Sequence, residues 1–288
     1  MNKCLIYLAI VLLLTGACTN TDNKKEVAQN DASEKRTDTG DENWEDTKLI
    51  WSDEFDGTDL SSDKWKMQTG ASGWGNQEWQ DYVKEGSVEV SEGTLKIYAK
   101  RKGKGQKVGD YTSARLNSKQ SFTYGRMEIR AKIPAHKGNG LWPALWMLGE
   151  NIKTVGWPQC GEIDLMEYVS YDPGIVHFTI HSKANNHVDN TQASSGPLKL
   201  DDIEEEFHSY GILWTDEYIK FYVDEIDNIK YVFEKPTPAN ADNWPFDKPF
   251  YFLMNIAVGG AWGGKEGVDD NIFPATMEID YVRVYEKP

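Results

Sequence analysis

The chain has 288 residues and a formal net charge of −15 at pH 7. An acidic surface of that size excludes nucleic acid and other polyanions as partners, and leaves neutral polymers open. Its 11 Trp and 14 Tyr are rings suited to a large β core, or to stacking on the flat C–H faces of sugars.

The chain opens with Met1-Asn2-Lys3, a nearly unbroken apolar run from Leu5 to Leu14, small residues Gly16-Ala17, and Cys18. The run is too short to span a bilayer, so residues 1–18 read as a secretory signal closed by a lipobox. Cys18 is then the acylated first residue of an exported protein, anchored to the bacterial envelope. An ordinary signal peptide cleaved nearby is the alternative. With Cys4 removed and Cys18 lipidated, Cys160 stands alone, which excludes an internal disulfide. Five His and no paired Cys argue against a Cys/His zinc site.

Residues 19–47 are polar and charged with almost no large apolar side chains. Such a segment buries too little to offset the entropy of ordering, so it reads as a disordered tether. From Lys48 onward, short apolar or alternating runs recur between Gly, Pro, Asn and Asp. Ser87–Val90, Thr94–Ala99, Arg126–Ile133, Ile175–His181, Tyr218–Val223 and Met277–Tyr285 are the clearest. Many short strands without helical periodicity predict an all-β sandwich, one domain over residues 48–288. Within Arg126–Ile133, Met127, Ile129, Ala131 and Ile133 share one face, and Arg126, Glu128, Arg130 and Lys132 the other.

The chemistry-bearing segment is Gly161-Glu-Ile-Asp-Leu-Met-Glu-Tyr168. Strand periodicity places Glu162 and Asp164 on one face and Glu167 on the opposite one. A β-bulge around Leu165-Met166 would return Glu167 to their side. The Cα atoms of Glu162 and Glu167 would then lie roughly 13 Å apart. Their long side chains could converge to about 5–5.5 Å, the separation used by retaining glycosidases. The plain alternative is a solvated acidic strand face. Trp142, Trp146 and Trp157 upstream and Tyr168 after the acids favour a sugar cleft.

Seven stretches together resemble glycoside hydrolase family 16, closest to bacterial laminarinases. They are Trp51–Gly57, Gly73–Glu78, Tyr111–Leu116, Gly140–Met147, Gly156–Glu167 with the bulged acid signature, Asn255–Gly264 and Ile279–Tyr285. The resemblance implies a β-jelly roll of two curved antiparallel sheets with an open cleft. It also implies endo-hydrolysis of β-1,3 or mixed β-1,3/1,4 glucan such as laminarin, with no catalytic cofactor, by a monomer. It assigns Glu162 as nucleophile, Glu167 as general acid/base and Asp164 as assisting carboxylate. Sugar contacts are expected from Asn76, Arg115, Trp142, Trp146, Trp157, His181, Asn255 and Trp262. For His181 a structural role is an equal alternative, since Val176-His-Phe-Thr-Ile-His181 departs from the Gly-containing family version. A structural Ca²⁺ is implied at Glu54, the Gly93 carbonyl and Asp280. Cys160 reads as a small packing residue. The rivals are action on agarose-type polymer or lichenan, transglycosylation, and glucan binding without catalysis.

Overall fold

The computed structural model describes residues 43–135 and 137–288. The signal segment, Cys18 and most of the expected tether lie outside the described residues. Among those described, no helix is long and apolar enough to cross a membrane.

Eighteen strands, a four-residue helix at Ile152–Val155 and a 3₁₀ turn at Asp270–Ile272 make up the described elements. Ile175–His181 and Tyr218–Val223 form strands with the expected bounds. Gly125–Lys132 and Ala275–Tyr285 differ from expectation only at their ends. The strands form a ten-stranded and an eight-stranded sheet. Pairing is antiparallel except where Gln80–Tyr82 runs parallel to Tyr111–Ser113. In the ten-stranded sheet, Gly125–Lys132 lies between His208–Trp214 and Ala275–Tyr285.

The eight-stranded sheet carries the acids. Its order is Ala193–Ser194, Ile175–His181, Glu162–Tyr168, Leu141–Gly149, Phe250–Val258, Arg115–Ser118 and Trp65–Gln68, with the eighth strand, Leu198–Lys199, also paired to Ile175–His181. Period-two alternation explains the core between the sheets. Met127, Ile129 and Ala131 from one sheet, and Leu145, Met147, Ile163, Phe252 and Met254 from the other, are all fully buried in a single cluster.

The outer face of Gly125–Lys132 differs from the sequence expectation. Arg130 and Lys132 are partly exposed and pair with Asp280 at 2.6 Å and Glu278 at 3.1 Å. Arg126 and Glu128, expected in water, are only 9% and 7% exposed. Glu128 accepts 2.6 Å hydrogen bonds from the hydroxyls of Tyr222 and Tyr281. The Arg126 guanidinium lies 3.6 Å from the centre of the Tyr285 ring and donates to the Trp44 carbonyl at 3.4 Å.

Trp44 is part of this cover. It is 6% exposed and packs with Leu213 and Tyr222, flanked by Tyr218, Ile226 and Ile229. The folded domain therefore begins before Lys48, because the last residues of the expected tether supply an aromatic ring to the outer sheet. Trp44→Ala should cost about 3 kcal/mol, the scale for deleting a buried aromatic. A thermal melt should show a drop of several degrees; an unchanged Tm would mean residues 43–47 contribute nothing to the fold.

Candidate active site

Cross-strand register decides which side chains share the solvent-side face. Glu162 pairs with Leu148 and His181, and Asp164 with Trp146 and Thr179. The register then shifts: Glu167 pairs with Ala144 and His177, so two residues, Leu165 and Met166, oppose the single residue Leu145 on one neighbour and Phe178 on the other. This is the expected bulge. Leu165 and Met166 both enter the core, fully buried, and Glu167 turns to the side of Glu162 and Asp164. Gly161, just before the strand, has φ +81°, and a Cβ there would meet Phe250 at 2.8 Å and Pro245 at 2.9 Å. Only glycine fits there.

Each glutamate is held by an indole. Trp157 Nε1 donates to Glu162 Oε2 at 3.0 Å, and Trp142 Nε1 donates to Glu167 Oε1 at 3.1 Å. Asp164, between them, is 3% exposed at its side chain. Burial raises all three acids. Glu162 is raised to about 8, by burial first and then by the charge of Glu167. Glu167 is raised to about 7 by burial, against hydrogen bonds from Trp142 and Thr179. Asp164 is pushed well up by burial and then by Glu162. The contact between Asp164 and Glu162 acts in opposite directions on the two, raising the aspartate and lowering the glutamate. His181 Nε2 lies 3.4 Å from Asp164 Oδ2 and 3.7 Å from Glu162 Oε1. Burial, then His187, holds this imidazole down to about 3, so it is neutral and adds no cation to the cluster.

The other expected contact residues fall on the same face in neighbouring rows. Asn255 pairs with Ala144 and Arg115, and Arg115 with Gln68. Trp146 Nε1 donates to Asn255 Oδ1 at 2.8 Å. Arg115 donates to Gln68 Oε1 at 2.6 Å, with its guanidinium 4.6 Å from the Trp146 ring and 5.0 Å from Trp74. Asn76 donates to the buried Glu78 at 3.2 Å, and its carbonyl accepts from Ala261 at 2.7 Å. Trp262 meets Trp142 edge-on at 5.2 Å. All eight expected sugar contacts thus belong to this sheet face or to loops packed at its rim.

Several participants escaped the sequence reading. Gln68 and Thr179 become visible only through register. Trp74 and Glu78 sit inside the Gly73–Glu78 stretch but were not singled out. His177, 5.1 Å from Trp262, and His187, 4.8 Å from Trp157, come from the acid strand's neighbour and the loop after it.

Residues 75–283 match a family model described as Glycosyl hydrolases family 16. The chain belongs to that family. A beta-glucanase of Rhodothermus marinus is 46% identical over 252 residues, covering 84% of this chain and 85% of the relative. The X-ray structure of the laminarinase from Rhodothermus marinus has a TM-score of 0.77 at 44% identity, over 84% of this chain and 98% of that one. The crystal structure of laminarinase from Flavobacterium sp. UMI-01 gives 0.74 at 42% identity, over 83% and 100%. The two-sheet architecture is the jelly roll of these family 16 neighbours, and the protein is a glycoside hydrolase.

Family 16 hydrolases need no catalytic cofactor. Of the residues matched to a structural calcium ion, Glu54 is paired with Arg283 at 2.7 Å and Asp280 with Arg130 at 2.6 Å. Two guanidinium groups already neutralise these acids, so as placed they do not fit a calcium site. Cys160 is fully buried beside Leu148 and Leu253, and burial pushes its thiol up to about 12. It packs, and it is no nucleophile.

The buried acids tie stability to pH. A carboxyl raised in the folded state binds more protons folded than unfolded, so stability falls as pH rises through that window. For Glu162 the window runs from its ordinary 4.5 to about 8. Raising the pH from 5 to 8 should therefore lower the Tm of the wild type more than that of Glu162→Gln. Equal slopes in melts at several pH values would show that Glu162 is not a buried charge.

Proposed function

We propose that the chain hydrolyses internal β-1,3 bonds of a neutral glucan with retention of configuration. The observation that carries this reading is the bulged strand, which presents two glutamates on one face, each under an indole N–H, with a buried aspartate between them. A Glu162 oxygen attacks the anomeric carbon as the glycosidic C–O bond breaks, and the Glu167 proton passes to the leaving oxygen. Water then attacks the same carbon, its proton returns to Glu167, and the bond to Glu162 breaks. The reactive form holds one proton on the coupled glutamate pair, and the assigned roles require it on Glu167 with Glu162 charged, the reverse of the order that burial alone sets, about 8 for Glu162 against about 7 for Glu167. The Trp157 N–H and the Asp164 contact both favour that charge on Glu162.

The beta-glucanase and laminarinase relatives support β-1,3-glucan as substrate. So does the face itself: aromatic rings and amides predominate, and among the eight expected contacts Arg115 is the one cation. An anionic polymer would find little to compensate its charge on a chain of net charge −15.

The test is product size and reducing-end release from laminarin, lichenan, agarose and carrageenan, for the wild type and Glu162→Gln. Rapid shortening of laminarin by the wild type is expected, with a loss of 10⁴-fold or more on the order of a missing nucleophile. Activity confined to agarose or carrageenan would overturn the substrate, and laminarin binding without cleavage would overturn catalysis. Burial raises the coupled glutamate pair to about 7 and about 8, so kcat/KM should follow a bell centred in the neutral range. A bell centred near pH 4.5 would contradict the buried, mutually repelling pair.

We further propose that Cys18 carries a lipid that anchors the protein to the cell envelope with the domain facing outward. The apolar run from Leu5 to Leu14 and the small residues before Cys18 support the anchor, and a polymeric substrate favours the outward orientation. Labelled palmitate should enter the wild type expressed in a bacterium and not Cys18→Ala; equal labelling would reject the anchor.

A further inference from the structure

An indole can aim its N–H at a carboxylate only if its ring plane is fixed, and Trp157 is only partly buried. Two imidazoles pack on it. The His181 ring centre lies 5.7 Å away at 56°, and that of His187 lies 4.8 Å away at 37°. The imidazoles meet each other at 5.2 Å and 87°. His181 ends a sheet strand and has that strand's support. His187 is exposed and comes from the loop between Ile175–His181 and Ala193–Ser194.

That loop is built around Asn186, which is 2% exposed. Its side-chain amide donates to the Lys183 carbonyl at 3.2 Å and to Asp189 at 3.0 Å, and its oxygen accepts from the Asp189 N–H at 3.0 Å. Its backbone exchanges hydrogen bonds with Thr191, at 3.1 Å to the hydroxyl and 2.9 Å from the N–H. At the loop base, the Ala184 N–H donates to the Asp242 carbonyl at 2.8 Å, and Lys183 pairs with the Asp242 carboxylate at 2.8 Å. A surface histidine needs no such scaffold for its own stability. The scaffold fixes where the His187 ring stands.

The same construction recurs at the other glutamate. Trp142, which donates to Glu167, is met edge-on by Trp262 at 5.2 Å, and His177 backs Trp262 at 5.1 Å. Both indoles that hold the glutamates are thus braced by further rings, ending in an imidazole.

We infer that His187 is a positioning residue: it fixes the Trp157 ring plane and, through it, the orientation of Glu162 Oε2. The inference rests on the proposed role of Glu162 as nucleophile. The loop at 182–192 is then the outer half of the nucleophile's support, supplied by a segment that carries none of the reacting groups.

The test is kcat and KM for the full chain on laminarin, or on whichever polymer of the panel the wild type cleaves. The variants are His187→Ala, His187→Phe, Trp157→Phe and the double variant Trp157→Phe/His187→Ala, each assayed well below its Tm. Sub-ångström misplacement of a reacting group lowers turnover, so His187→Ala should lose about tenfold in kcat with KM nearly unchanged. His187→Phe should recover most of that loss, because it restores a ring face. In the Trp157→Phe background the His187 substitution should add nothing, since both act through one hydrogen bond. A rise in KM alone would make His187 a sugar contact and overturn the inference. Additive losses in the double variant, or unaltered kinetics in His187→Ala, would overturn it too. If the wild type cleaves no polymer of the panel, the functional reading fails and this inference falls with it.

Discussion

Everything functional on this sheet depends on one extra residue in one strand. At Leu165-Met166 the strand places two residues against Leu145 on one side and Phe178 on the other, and both enter the core. Without that insertion the pleat would drive Glu167 between the sheets, among fully buried side chains such as Met147 and Met254. The apolar pair therefore does two things at once. It fills the core where a regular strand would leave a carboxylate, and it delivers that carboxylate to the face that meets solvent. On one side the irregularity stops at the acid strand, because Leu141–Gly149 keeps a regular register with Phe250–Val258 through the bulge.

Gathering three carboxyls on half-buried ground costs stability, and the fold contains the cost locally. The acids receive indole N–H groups from Trp142 and Trp157 and a hydroxyl from Thr179 in place of cations, and the imidazole beside them, His181, is neutral. A lysine or arginine beside the cluster would draw the carboxyls down to their ordinary range and leave no proton for a leaving group. Neutral donors orient the oxygens and leave the pKa values high. Arg115 acts on Glu162 from outside the cluster and lowers it, and its guanidinium is occupied by Gln68 and two tryptophan faces.

The ten-stranded sheet supplies the rigidity behind this face. Its outer side is itself covered, by Trp44, Tyr285, Tyr222 and Tyr281 around the buried Arg126 and Glu128. The alternation of Arg126, Glu128, Arg130 and Lys132 was legible as a pattern, because period two follows from the pleat alone. That two of the four are buried was not legible, since the cover comes from residues far away in the chain. Trp44 shows the same limit: inside a polar run nothing marks one tryptophan as docked, and only its contact with Leu213 and Tyr222 does.

The sequence by itself determined the all-β class, the face assignment of regular strands and the acid segment with its need for a bulge, because these rest on local periodicity. It also carried the motifs that align the chain with family 16. Tertiary structure alone decided the cross-strand partners: Gln68 on Arg115, Trp146 on Asn255, Trp157 and its two imidazoles on Glu162. It also decided that Glu54 and Asp280 each face an arginine. Apart from Trp157 and Glu162, five positions apart, these pairings join residues tens to hundreds of positions apart, and register and sheet order set them. Local periodicity says which way a side chain points; it does not say what it will meet there.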